Sequence, residues 1–66
     1  MTEEQEKACD RVLRKLNPNQ PYSWTQILAA TYPVNALTVY EVMTLLGQKN
    51  IIIKVENNYV LQEPLI

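Results

Sequence analysis

Residues 23–43, SWTQILAATYPVNALTVYEVM, decide the fold of this 66-residue chain. Ser23 and Gln26 match a capping box, in which a serine caps a helix and a glutamine three residues later hydrogen-bonds back to it. Pro33 must end that helix, since proline and the residue before it both disfavour helical geometry. Asn35 is a good cap for a following helix. The stretch therefore predicts two short helices joined by a tight turn.

Apolar residues at helical spacing set the extent of three helices, over residues 3–16, 24–31 and 36–49. The apolar stripe of the first helix consists of Ala8, Cys9, Val12, Leu13 and Leu16. The inward stripe of the third consists of Val39, Val42, Met43 and Leu46. Cys9, the single cysteine, is interpreted as a small buried hydrophobe. Gly47 weakens the third helix, and we expect it to allow another backbone to approach closely.

The pattern becomes strand-like after the third helix. Residues 51–55 are rich in β-branched side chains, and residues 59–62 form a partner strand that Pro64 stops. Glu56-Asn57-Asn58 is predicted to make the tight turn between the strands, with Asn57-Asn58 as its two-residue form. Side chains alternate along a strand, so Ile52 and Leu61 should share one face. The opposite face should carry Ile51, Ile53, Val55 and Val60. Residues 17–22 read as a turn-rich connector with room for an extended piece at Pro21-Tyr22.

Composition argues against several classes of function. The chain has no histidine and one glycine, so it lacks the commonest catalytic base and the material for a phosphate-binding loop. We therefore expect no enzyme activity, no cofactor and no metal. A lone cysteine fits a reducing compartment, and no apolar run is long enough to cross a membrane. The acidic start is untypical of a secretory signal. These features predict a soluble cytoplasmic protein.

The order of elements, with the motifs ILAA at 27–30, VNALTVY at 34–40 and NNYVL at 57–61, resembles the winged helix-turn-helix family over about residues 5–62. Asn50 stands where many members carry a glycine as a left-handed helix end, and asparagine suits that conformation next best. The expected fold class is α+β, mainly α. It is a single domain over residues 1–66, a three-helix winged helix with a C-terminal two-stranded β-hairpin wing.

The resemblance implies double-stranded DNA as a partner, because family members place the third helix in the major groove and the wing on the flanking backbone. It implies a small transcription regulator, acting as a dimer. The candidate contacts to bases and phosphates are Asn35, Thr38, Tyr40, Thr44, Gln48, Lys49, Lys54, Asn57 and Asn58. Lys7, Arg11 and Arg14 form a further stripe, which either contacts phosphate or pairs with acidic neighbours on a solvated face.

A protein-interaction module is the alternative. Net charge is −1, no arginine follows Arg14, and Glu41 would face the phosphates, whereas phosphate neutralisation supplies much of the affinity for DNA. Spare apolar side chains favour a protein partner, including a second copy of the chain. The candidates for that interface are Tyr32, Leu37, Tyr40, Leu45, Ile51, Ile53, Val55 and Val60. The commonest use of the fold favours DNA, and the residue chemistry favours protein.

Overall fold

Three helices and a three-stranded antiparallel sheet make up residues 1–63, the part of the chain that the computed structural model describes. In chain order the elements are α1 (Glu3–Lys15), β1 (Pro21–Tyr22), α2 (Trp24–Thr31), α3 (Ala36–Gln48), β2 (Ile52–Val55) and β3 (Asn58–Leu61). The α+β, mainly helical class is confirmed. The predicted strand stop at Pro64 lies outside the described residues.

Element ends match the predicted bounds to within one residue. The helix α2 has the predicted bounds. Leu16 and Lys49 cap α1 and α3 where the prediction extended those helices by one residue. Ile51 precedes β2, and the return strand is shifted one residue earlier than the predicted 59–62. Helix and strand ends fray, so differences of this size follow from the weak pairing of terminal residues.

Side-chain caps fix where the helices begin. Ser23 accepts a hydrogen bond from the Gln26 amide at 3.2 Å, and its own amide donates to the Gln26 side chain at 2.8 Å, which confirms the predicted capping box. Asn35 caps α3 by accepting from the Leu37 amide at 2.8 Å. A second capping box joins Thr2 and Gln5 at the start of α1. The caps satisfy amides that would otherwise lack partners in the first turn.

Asn50 ends α3 in the left-handed region, with φ of 60°, as predicted. The Asn50 amide donates to the Gly47 carbonyl at 3.1 Å and the Ile51 amide donates to the Leu46 carbonyl at 2.9 Å. These two bonds form a Schellman motif, which turns the chain out of the helix towards β2. The close backbone approach expected at Gly47 is wrong. A Cβ added there would lie 3.8 Å from the Ile52 carbonyl oxygen, which is an ordinary contact.

The sheet has the strand order β1-β3-β2, so the two-stranded wing of the prediction gains a third, two-residue strand. That strand is Pro21–Tyr22, which pairs with Val60 and Tyr59 of β3. The hairpin turn is Glu56-Asn57, not Asn57-Asn58, because Val55 pairs with Asn58. Moving the turn by one residue shifts the pairing of β2 with β3 by two residues, so each side chain stays on its predicted face of the hairpin. Ile52 and Leu61 are buried together, as predicted.

The core lies between the three helices and the inner face of the hairpin. It is built from Ala8, Val12, Leu16, Ile27, Val39, Val42, Met43, Leu46, Ile52 and Leu61. The inward stripe of α3 is confirmed in full. On α1, Leu13 is 46% exposed, so its core assignment is corrected, whereas Cys9 is half-buried and packs against the core. The core side of α1 is centred on Val12, and Leu13 lies about 100° around the helix from it.

Candidate interaction surface on the third helix

The outward side of α3 presents a continuous exposed surface, which we call the α3 face. It consists of Leu37, Tyr40, Glu41, Thr44 and Gln48, all of them exposed. At about 100° per residue, Leu37, Thr44 and Gln48 fall along the centre line of this face. Tyr40 lies about 60° to one side of Leu37 and Glu41 about 40° to the other. Leu37 is 67% exposed and Tyr40 59%, so two large apolar groups face solvent.

A notch of about 230 Å³ separates α3 from the inner side of the hairpin. Its lining consists of Tyr40, Met43, Thr44, Gly47, Ile52, Lys54 and Tyr59. Small-molecule sites usually enclose about 300–1,000 Å³, so this volume suits a single side chain better than a whole ligand. Lys54 is the one charged residue in the lining. The Lys54 ammonium lies 5.8 Å from the Tyr59 ring centroid, within the range of a cation–π contact.

Aromatic rings tie the notch to α2. The Trp24 ring meets the Tyr40 ring edge-on with 6.4 Å between centroids, and it lies 6.2 Å from the tilted Tyr59 ring. Edge-to-face pairs at these separations are favourable. Trp24 therefore holds one tyrosine of α3 and one of β3 in place. Its position at the first residue of α2 gave no sign of this role in the sequence, because ring contacts between distant elements leave no local pattern.

The opposite flank of the α3 face borders α1. The Glu41 carboxylate lies 3.5 Å from the Gln5 side-chain nitrogen, at the limit of a hydrogen bond. Glu41 keeps most of its hydrogen-bonding capacity for solvent or a partner, since a carboxylate accepts several bonds. The α3 face thus has an acidic flank at Glu41 and a basic flank at Lys54.

The basic stripe on α1 is engaged within the chain. Lys7 lies 4.0 Å from Glu3 and 3.8 Å from Glu4, and Arg14 lies 3.0 Å from Asp10. These pairs agree with the second interpretation of the stripe, in which it pairs with acidic neighbours on a solvated face. Exposed pairs of this kind contribute at most about 1 kcal/mol each.

Arg11, the remaining member of that stripe, has a structural contact. Its guanidinium donates to the Tyr32 carbonyl at 2.7 Å. This bond tethers the turn between α2 and α3 to α1, so Arg11 is occupied in positioning the turn that leads into the α3 face.

The residues predicted to contact DNA lie in three places. Tyr40, Thr44 and Gln48 share the α3 face, with Lys54 across the notch. Asn35 and Thr38 lie at the start of α3, where the side-chain oxygen Oδ1 of Asn35 is occupied by capping and Thr38 is half-buried. The remaining three are dispersed: Lys49 at the far end of α3, Asn57 in the hairpin turn, and Asn58 in β3.

The residues predicted to contact a protein form two exposed groups. Leu37 and Tyr40 lie on the α3 face. Ile53 and Val55 are exposed on the outer face of the hairpin, where Val60 is half-buried. Tyr32, at the turn before α3, is 75% exposed. The other two candidates, Leu45 and Ile51, are half-buried, and Ile51 packs against the core.

A second, larger groove lies beside the end of α1. It measures about 760 Å³ and is lined by the end of α1, the end of α3 and the base of the hairpin, including Leu13, Leu16, Lys49 and Leu61. The exposed part of Leu13 forms one of its walls. Among residues 1–63 no group of three side chains is arranged to hold a metal ion.

The helices described are each too short or too polar to span a bilayer. Comparison of the chain with family models, with curated proteins and with solved structures gave no match in any of the three.

Proposed function

We propose that the chain is a winged-helix protein-interaction module that docks a partner on the α3 face and the adjoining notch. The observation that carries this proposal is the exposure of Leu37 and Tyr40 at the centre and flank of one helix face. An apolar face on a helix is a recurring way for one protein to dock in the groove of another. Tyrosine is enriched among the few interface residues that supply most of the binding energy, and Tyr40 adjoins the apolar Leu37.

The winged-helix assignment is supported by the layout of the chain. A short α2 and a longer α3 are joined by a tight turn, and the Schellman motif at Asn50 leads directly into a hairpin whose inner face packs on α3. The third strand, Pro21–Tyr22, ties the connector before α2 to the hairpin. The fold itself supports many unrelated functions, so the function rests on the side chains of the surface.

Charge favours a protein partner over DNA. The α3 face and the notch together contain one acid, Glu41, and one base, Lys54, so their net charge is zero. Neutralising phosphates supplies much of the affinity for DNA, and each phosphate that is neutralised requires an accessible lysine or arginine. Much of the basic charge on α1 is already paired with nearby carboxylates.

A small DNA-binding regulator is the second candidate, and one observation favours it. Tyr40, Thr44 and Gln48 place hydrogen-bonding groups on the exposed side of α3, with Lys54 beside them. Among residues 1–63 Lys54 forms no ion pair, so its ammonium is available to a phosphate. The Thr44 hydroxyl is partly engaged, because it donates to the Tyr40 carbonyl at 2.9 Å.

Photocrosslinking separates these candidates. A photoreactive phenylalanine analogue placed at Leu37 should crosslink to one discrete protein in the native cell. The same analogue at Ala29, exposed on α2, should not. A crosslink to nucleic acid from position 37, or equal protein crosslinking from both positions, would defeat the proposal.

An NMR titration with a mixed-sequence DNA duplex gives a second, independent test. Phosphate-driven binding weakens steeply between low salt and about 0.2 M salt. We expect no salt-sensitive shifts along α3 or at Lys54. Shifts there that disappear at the higher salt would establish DNA binding in place of the protein interface.

A further inference from the structure

The two charged residues of the α3 face and notch lie on opposite flanks of the exposed helix. Glu41 borders α1, and Lys54 lies across the notch beyond Tyr40. Lys54 pairs with Tyr59, and the rings of Tyr59 and Tyr40 both lie against Trp24, so the base is at the Tyr40 end of the notch. Glu41 directly follows Tyr40, and a helix rises about 1.5 Å per residue, so the acid and the base lie at a similar height along α3. Leu37 lies between the flanks, towards the start of the helix.

From this arrangement we infer that the partner docked on the α3 face is a second copy of the chain. A twofold axis running parallel to α3, between two facing molecules, brings the acidic flank of each against the basic flank of the other. The same axis packs Leu37 against its own counterpart. Each dimer then contains two pairs between Glu41 of one protomer and Lys54 of the other, as an isologous interface requires.

A twofold axis perpendicular to α3 gives the opposite result. It would place Glu41 against Glu41 and Lys54 against Lys54, and like charges in an interface are unfavourable. The charge distribution therefore selects the parallel arrangement of the two α3 helices. The low net charge of −1 leaves little general repulsion between copies.

The molecule is large enough for such an interface. A standard interface buries roughly 800 Å² on each partner. That is about a sixth of the accessible surface of 4741 Å². The α3 face and the lining of the notch together comprise fewer residues than the roughly 20–30 that each side of a standard interface contributes, so we expect a small interface and a reversible dimer. The inference rests on the proposed function, because both use the α3 face.

Charge reversal tests the inference directly. Sedimentation velocity over a range of concentrations should show a monomer–dimer equilibrium for the natural chain. The single variants Glu41→Lys and Lys54→Glu should each raise the dimer Kd at least about tenfold, because two attractive contacts become two repulsive ones. The double variant should return to within about threefold of the natural Kd, since both attractive contacts are restored with their charges exchanged.

Mixing the two single variants makes the test independent of any effect on folding. In a mixed dimer, the protomer with Glu41→Lys carries a base on both flanks, and the protomer with Lys54→Glu carries an acid on both. Both contacts between them are therefore attractive again, and we expect the mixture to dimerise with a Kd near that of the natural chain, whereas each variant alone dimerises at least about tenfold more weakly. The matched controls Lys49→Glu and Glu56→Lys change the same charges away from the α3 face and should leave the Kd within about twofold.

Three results would overturn the inference. One is a natural chain that stays monomeric to about 1 mM, a concentration at which even a weak association of about −4 kcal/mol is half formed. Another is a dimer that is indifferent to both single reversals, and the third is a mixture of the two variants that fails to associate. The crosslinking experiment distinguishes this failure from a failure of the proposed function. A crosslink from position 37 to a different protein would support the interaction module and exclude a second copy as the partner. A crosslink to nucleic acid would exclude both the interaction module and the dimer.

Discussion

Replacing Gly47 with alanine should stabilise the protein. Gly47 lies in the last turns of α3, is exposed, and does not have a positive φ. Glycine in a helix is less favourable than alanine by about 0.8–1.0 kcal/mol, because its unfolded backbone has more freedom to lose. The new methyl group would meet the Ile52 carbonyl oxygen at 3.8 Å, so no atom has to move. The expected gain in unfolding free energy is about 1 kcal/mol.

For a chain of this length, a gain of that size corresponds to a rise in Tm of about 4–8 °C. Thermal unfolding followed by circular dichroism measures it. The experiment needs two protein concentrations, since a dimer that dissociates on unfolding has a Tm that rises with concentration. The gain from Gly47→Ala should be present at both.

Lys15→Ala is the matched control, because Lys15 is an exposed helical residue away from the α3 face and lysine already has a good helix propensity. Its effect on stability should be a few tenths of a kcal/mol at most. If Gly47→Ala lowers the Tm while Lys15→Ala leaves it unchanged, the space beside Gly47 is smaller than described. The close backbone approach predicted from the sequence would then be right.

Three further substitutions probe the caps, the turn and the core. Ser23→Ala should cost about 1 kcal/mol of unfolding free energy by removing the acceptor for the Gln26 amide, and an unchanged urea midpoint would contradict this. Glu56→Gly should raise the unfolding free energy by about 1 kcal/mol, since Glu56 has a φ of 58°; a loss of stability would show that its side chain contributes more than the backbone strain costs. Ile27→Ala, at a fully buried side chain, should cost about 2–5 kcal/mol, which is comparable with the roughly 3–5 kcal/mol that a core of this size supplies, so the urea midpoint should fall steeply. An unchanged urea midpoint would show that Ile27 is not part of the core.

Local chemistry made most of the fold predictable. The cap at Ser23, the cap at Asn35 and the left-handed end at Asn50 depend on hydrogen bonds within a few residues, so the sequence carries them directly. The capping box at Thr2 and Gln5 has the same signature, with glutamine in the third helical position, and could have been recognised in the same way. The three glutamates in the first turn of α1 also predict a helix start there, because acidic side chains are favourable at the positive end of the helix dipole.

The errors concern contacts between distant elements. The apolar stripe on α1 is broad enough to include Leu13. Only the packing of α2 and α3 against α1 determines that the buried side is centred on Val12. The turn at Glu56 could not be preferred from the residues, because asparagine tolerates positive φ better than glutamate does. The hairpin faces were nevertheless right, since a shift of the pairing by two residues leaves the alternation intact.

The candidate surface was only partly predictable for the same reason. Helical periodicity alone places Leu37, Tyr40 and Glu41 on the outward side of α3, and the structure has them there. It cannot show that Lys54 and Tyr59 arrive on the Tyr40 side or that Trp24 braces both tyrosines. The sequence alone presents Glu41 only as a group that would repel phosphate. If the facing surface is a second copy of the chain, Glu41 of one protomer would lie against Lys54 of the other, which is an attractive contact.

The two candidate functions compete for one surface, which makes them mutually exclusive in a single state of the protein. DNA in contact with the α3 face would cover Leu37 and Tyr40, whereas a dimer through that face would bury the hydrogen-bonding groups of Thr44 and Gln48. If both occurred, each would weaken the other by the same factor, as linkage between two equilibria requires. Duplex DNA would then dissociate the dimer, and raising the protein concentration would weaken binding to DNA. A dimer interface elsewhere on the molecule would give neither effect, so the sign of this coupling identifies which surface the copies use.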